Sequence, residues 1–158
     1  MKKFLFFSPS PNEDLENLKS ELLQLGAQVV IHTDPQAINS ASAEFEGIAL
    51  FSEFPQAQDQ LKAALISFYR ASRPIAVMGP ARALALEALK EFRPTLGCSA
   101  EELGRLKEIA PKADLVILPA SEYITDRDCK LISCLGSRGG ADSQVGISGL
   151  AKEFFEMA

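Results

Sequence analysis

Short, unbroken apolar runs recur along this chain, separated by amphipathic stretches. FLFF (4–7), GIALF (47–51), PIAVM (74–78) and LVIL (115–118) have the pattern of strands buried on both faces of a sheet. Between them the apolar residues fall at helical spacing. Leu15, Leu18, Leu22 and Leu25 stand three and four apart, which predicts a helix burying one stripe. Its predicted start is Ser10 as N-cap, Pro11 at the first helical position and Glu13 three residues past the cap, and Gly26 stops it. The further elements predicted are strands at Lys3–Phe7, Gln28–His32, 47–51 and Ile75–Met78, and helices at 56–71 and 81–92. Residues 33–44 read as a loop, and 94–96 as a short extended piece. Ser99 and Glu102 form a second capping box for a helix ending near Ile109, and 115–118 is a further strand. EYITDRDCKLIS (122–133) reads as a β-hairpin with its polar turn at Asp126–Asp128. The last segment, 142–157, is a helix weakened by Gly146 and Gly149. Strands alternating with helices predict an α/β fold: a three-layer α/β/α sandwich with a mostly parallel, flavodoxin-like sheet, plus a C-terminal hairpin and helix. In such sheets ligands bind beyond the carboxyl ends of the strands. That places residues 8–14, 52–54, 79–82 and 119–122 near a site.

Length and composition keep this picture simple. The 158 residues, 47% hydrophobic and 23% charged, fit one soluble domain spanning 1–158. A net charge of −5 without a Lys/Arg cluster argues against nucleic acid or an anionic membrane as partner. The opening MKKFLFF has too short an apolar run for a signal peptide. The three cysteines, Cys98, Cys129 and Cys134, form no C-x-x-C pair, so reduced thiols in a cytoplasmic protein are expected. The single His32 leaves no basis for a His-built metal site; neither metal nor cofactor is expected.

The segments RPIAVMGPARALA, PTLGCSAEELGRLKEI, EYITDRDCKLISCLGS and GISGLAKEFFEM, with EFEGIALFSE before them, carry a resemblance through their order and spacing. Together they resemble the class I glutamine amidotransferase-like superfamily, in the branch of PfpI peptidases and the Parkinsonism-associated deglycase. The C-terminal half is most similar to the ElbB-type glyoxalases, isoprenoid biosynthesis proteins with an amidotransferase-like domain. The resemblance covers most of residues 45–157 and, more loosely, 1–34. It implies a homodimer and a Cys nucleophile after the fourth strand.

Here the sequence departs from that pattern. The nucleophile position falls on Gly79, and slipping the register offers only Val77, Met78 or Pro80. The next residue is Pro80, which has no N–H to stabilise an oxyanion. The resemblance implies a glycine pair after strand three, and Ser52-Glu53 stands there instead. The chain is also shorter between strands two and three. The acidic partner implied for the Cys falls closest to Asp14, with Glu13 next, although a helix's first turn favours acidic residues for its own sake.

Several reactive residues remain. Cys98 precedes a capped helix start, where the N-terminal field can lower a thiol pKa; a small apolar filler is the plainer reading. Cys129 and Cys134 read as structural. His32 is either a proton carrier at the sheet edge or a core-edge side chain. Arg82, in the first turn of a helix, is either an anion anchor or a surface salt-bridge partner. GSRGGADS (136–143), with Arg138, lacks the ending of a P-loop. These residues point to a non-catalytic protein that binds a partner or small metabolite through Ser52, Glu53, Gly79 and Arg82. The alternative is a glyoxalase- or hydrolase-type enzyme with a relocated centre at Cys98 or at Glu13/Asp14, in which Cys98 would have to be solvent-accessible. A flavodoxin-like carrier is disfavoured by the acidic, proline-containing SPSPNED loop.

Overall fold

A computed structural model of the chain describes residues 1–10, 12–34, 41–52, 58–136 and 141–158. The N-terminal half runs β1 (Lys3–Phe7), α1 (Glu13–Gln24), β2 (Gln28–His32), α2 (Ala41–Glu44), β3 (Gly47–Leu50), α3 (Gln58–Arg70) and β4 (Ile75–Met78). Then follow α4 (Ala81–Leu89), a 3-10 turn (Lys90–Phe92), β5 (Thr95–Cys98) and α5 (Leu103–Ile109). The chain closes with β6 (Asp114–Ile117), β7 (Tyr123–Asp126), β8 (Leu131–Cys134) and α6 (Ala141–Met157). The main sheet has the order β2-β1-β3-β4-β8-β7. It is parallel except for the β7–β8 hairpin. β5 and β6 form a separate parallel pair. The mostly parallel α/β architecture expected from the apolar runs is the one observed.

The sheet is buried on both sides because its central strands are apolar at every position. Leu5, Phe7, Ile48, Leu50, Ile75 and Val77 face one core with Leu61, Leu65 and Phe68 of α3 and Leu86 and Leu89 of α4. Their alternating neighbours Phe4, Phe6, Ala49, Phe51, Ala76 and Met78 face the other, with Leu15, Leu18 and Leu22 of α1 and Ile147, Leu150 and Phe154 of α6. Period-two alternation thus feeds two cores from one strand. At roughly 1.5–3 kcal/mol for each large apolar side chain fully buried, these two layers supply most of the driving force.

Three local expectations need correction. The cap of α1 is Asn12, whose side-chain oxygen accepts from the Leu15 N–H at 3.2 Å. Ser10 instead uses its carbonyl to accept the Ser8 hydroxyl at 2.6 Å, so it shapes the turn ahead of the cap; Pro11 lies outside the described residues. The run LVIL is not buried on both faces, since Ile117 is 55% exposed: β6 pairs only with β5 and lies outside the main sheet. Part of the expected 33–44 loop forms the single turn α2. The second capping box is present as read. Ser99 N–H donates to Glu102 at 2.9 Å and Glu102 N–H to the Ser99 hydroxyl at 3.2 Å, with regular helix starting at Leu103.

The β5–β6 ribbon is tied to the sheet by buried polar bonds. Gly97 N–H donates to Ser133 Oγ at 2.9 Å, and Thr95 N–H to Asp126 Oδ2 at 2.7 Å. A Cβ on Gly97 would stand 2.2 Å from Leu118 Cδ1, so this close approach requires glycine.

Candidate functional site

β4 ends in a sharp turn beside the carboxyl ends of β3 and β8. Gly79 sits there at φ +56, in the left-handed region that side-chain-bearing residues rarely adopt. Its N–H donates to the Cys134 carbonyl at 3.4 Å, and its own carbonyl accepts the Arg82 N–H at 3.2 Å. Pro80 follows with helical dihedrals, φ −61 and ψ −21, and leads straight into α4. Among the described residues, a Cβ placed on Gly79 would meet nothing nearer than the carbonyl oxygens of Phe51 and Leu135, each at 3.8 Å. The turn therefore has the left-handed backbone of a nucleophile elbow, which glycine adopts without strain, and Gly79 brings no side chain to it.

Asp14 belongs to the same place. It lies in the first turn of α1 and is only 6% exposed. A Cβ on Gly136, itself at φ +86, would fall 2.8 Å from Asp14 Oδ2 and 3.2 Å from Gly79 N. So the turn after β8 brings the Asp14 carboxylate up against the Gly79 turn, and only a glycine leaves room. Cys134 completes the cluster, as the partner of Met78 across β4 and β8. Its thiol, which accepts from the Gly136 N–H, is pushed up to about 11 by burial, with the Asp14 charge adding to the rise. The sequence reading took Cys134 as structural and gave Gly136 no role. Cys134 ends β8 and Gly136 follows it two residues on, and only the strand order, which sets β8 beside β4, brings them to the Gly79 turn.

Ser52, next to Phe51 at the end of β3, has a buried hydroxyl with no hydrogen-bond partner among the described residues. Glu53 and Arg138 lie outside the described residues. Glu13 is exposed. His32 is half-buried, with its ring edge-on to Phe45 at 6.4 Å, the core-edge placement.

Arg82 is a salt-bridge partner as one of its readings has it, but a buried one, neither at the surface nor open to an external anion. It is 3% exposed. Its Nε donates to the Gly79 carbonyl at 2.9 Å and its Nη1 to the Gly97 carbonyl at 2.8 Å. Nη2 reaches both Glu102 oxygens, at 2.9 and 2.7 Å. Glu102 is the residue sequence reasoning missed here, having assigned it only to the capping box. Burial pushes the Glu102 carboxyl up, but the Ser99 N–H and the Arg82 guanidinium outweigh it and hold it below the ordinary carboxylate value.

Cys98 is likewise corrected. It is fully buried, and burial, followed by the Glu102 charge, raises its pKa despite Arg82 nearby. A relocated centre needed this thiol accessible and acidic, and it is neither. Cys129 is also buried and pushed up to about 12, by burial and then by the charge and hydrogen bond of Asp126. Among the described residues, no group of three or more His, Cys, Asp or Glu could hold a metal ion. No helix among them is long and apolar enough to cross a membrane.

No protein-family model and no curated protein matches the chain. Solved structures do. An isoprenoid biosynthesis protein with an amidotransferase-like domain from Ehrlichia chaffeensis superposes with a TM-score of 0.80 at 12% identity, covering 99% of each chain. A ThiJ/PfpI domain protein from Brachyspira murdochii gives 0.72 at 9% identity, over 99% of this chain and 95% of that one. Drosophila melanogaster DJ-1beta gives 0.66 at 12% identity, again over 99% and 95%. The chain has the flavodoxin-like α/β fold of the ThiJ/PfpI and DJ-1 proteins.

Proposed function

We propose that this chain is a non-catalytic member of the PfpI/deglycase-like superfamily, binding a small metabolite or a protein partner at the carboxyl edge of its sheet. The binding surface centres on Gly79 and Ser52, with Glu53 beside them in sequence and Asp14 buried behind. Arg82 serves it from within by fixing the Gly79 carbonyl. The observation that carries this reading is the Gly79 turn: left-handed at φ +56 with room among the described residues for a side chain, bearing none, and followed by a proline with no N–H. A nucleophile and an oxyanion donor are both missing from the place where acyl-transfer chemistry needs them. The protein is read as cytoplasmic and homodimeric.

The relocated-centre alternative loses Cys98 and keeps Glu13/Asp14, with Asp14 favoured by the burial of its carboxylate against Gly136 and the Cys134 thiol. A thiol held near 11 stays protonated at neutral pH and makes a poor nucleophile. The deciding experiment incubates purified protein with methylglyoxal and compares wild type with Asp14→Asn. No turnover by either is expected. Turnover by the wild type that Asp14→Asn abolishes would replace the binding reading with the enzymatic one. Light scattering at tens of micromolar should give twice the chain mass, and a monomer would refute the dimer.

A further inference from the structure

A concave site lies at the amino ends of β5 and β6, and none of the residues discussed around the Gly79 turn lines it. It is a cleft of about 340 Å³ lined by Lys90, Glu91, Arg93, Ala110, Pro111 and Lys112, at the small end of ligand-pocket volumes. Its two walls are held side by side by the backbone. Asp114 N–H donates to the Pro94 carbonyl at 3.0 Å, Arg93 N–H to Lys90 at 3.4 Å and Ala113 N–H to Ala110 at 3.1 Å. The Phe92 ring stacks on Tyr69 at 4.2 Å, and Lys107 Nζ donates to the Ala113 carbonyl at 3.0 Å. The site is thus preformed.

Its charge is the unexpected part. In a chain of net charge −5, three cations and one carboxylate line this cleft, and Lys90, Arg93 and Lys112 take part in none of the ion pairs among the described residues. Two helix ends meet here, the 3-10 turn after α4 and the C-terminus of α5, and cations near such ends offset their exposed carbonyls. That accounts for part of the charge. Arg93 is the residue it leaves unexplained. Its φ is +51, and glycine is the residue that serves this left-handed position after a helix at least cost. Ser72 and Lys130 adopt the same region, at φ +56 and +52, but Arg93, the exposed C-cap of the 3-10 turn, is the one that lines the cleft. Strain of this kind clusters at ligand clamps, and a guanidinium fork flanked by lysines matches the oxygens of phosphoryl groups.

We infer that this cleft binds a small metabolite carrying a di- or triphosphate group, with Arg93 as the fork and Lys90 and Lys112 as flanking point charges. Inorganic pyrophosphate titrated into the full chain, followed by calorimetry and phosphorus NMR at constant ionic strength, tests it. The expected result is saturable one-to-one binding that Arg93→Gly weakens about tenfold or more. Arg93→Gly relieves the left-handed strain, so it should fold at least as well as wild type. A second variant, Lys90→Gln with Lys112→Gln, should weaken binding as well, while Lys19→Gln on α1 should leave it unchanged. Three outcomes overturn the inference: no saturation at millimolar pyrophosphate, undiminished binding by Arg93→Gly, or equal weakening by Lys19→Gln, which would mark general charge attraction.

Discussion

The Gly79 turn has two sides, built by opposite rules. Toward α5 and the β5–β6 ribbon, the Arg82 guanidinium makes four hydrogen bonds, to the Gly79 carbonyl, the Gly97 carbonyl and both Glu102 oxygens. Toward α1 and β8, Gly79 leaves room for a side chain it lacks and Gly136 gives way to the Asp14 carboxylate. At the end of neighbouring β3, the Ser52 hydroxyl is buried without a partner among the described residues. The difference shows what maintains the elbow. Its shape is held by a buried charge network behind it and owes nothing to a reacting group in front.

The largest expected effect comes from breaking the satisfied side. Arg82→Leu would strip the guanidinium from Glu102 and from the Gly79 and Gly97 carbonyls, leaving Glu102 with the Ser99 N–H and Gly79 with the backbone N–H of residue 82, a loss of about 3–5 kcal/mol in urea unfolding. A loss under about 1 kcal/mol would show that the turn holds itself without the ion pair. The same network sets an acid limb. Because the Glu102 carboxyl lies lower in the folded than in the unfolded chain, the stability it adds is present above the ordinary carboxylate range and is lost as pH falls through its folded pKa. Arg82→Leu should flatten that limb in part, since the Ser99 N–H remains.

The next effect contrasts two thiols, Cys134 on the open side and Cys129 beneath the hairpin. Both are raised from an ordinary 9.0, to about 11 and about 12. Unfolded thiols lose protons first as pH rises, so stability should fall from about pH 9 to about pH 12, and alanine at either position should flatten the fall. Denaturant midpoints against pH measure it. Below pH 8 neither thiol should react with iodoacetamide in the folded protein; rapid alkylation of Cys134 would mark the open side as chemically active.

A smaller effect is expected from filling the open side. Gly79→Cys should cost about 1 kcal/mol for its left-handed backbone and stay folded, since the space is there. It should not turn over methylglyoxal, because Pro80 still offers no donor; robust turnover would show that the missing thiol was the sole defect. Ser52→Ala should be the mildest, ranging from neutral to a gain of about 1 kcal/mol as an unpaired buried hydroxyl is removed. A loss of that size would mean the hydroxyl has a partner that sharpens the open side into a bound state.

Much of the fold was legible because the signals are local. Lys3–Phe7, Gln28–His32 and Ile75–Met78 are strands as their apolar patterns predict, and Ser99 with Glu102 forms the reciprocal cap its spacing suggested. The misses share a cause. Ser10 lost the cap to Asn12 because two residues only two positions apart had capping chemistry and the path of the preceding turn chose between them. LVIL resembled the central strands, but burial depends on what packs alongside, and β6 gained a neighbour on one edge only.

The sequence by itself determined the alternation of strands and helices, the glycine where a nucleophile would stand and the proline after it. These are properties of one position or of a few residues in a row. Only the tertiary structure decided that Arg82 joins Glu102, that Asp14 meets Gly136 and Gly79, and that Cys98 is sealed in the core. Those contacts are set by strand order, which places residues far apart in the chain within hydrogen-bond reach. Burial and pKa follow from that placement, because desolvation and neighbouring charges act through space and not along the chain.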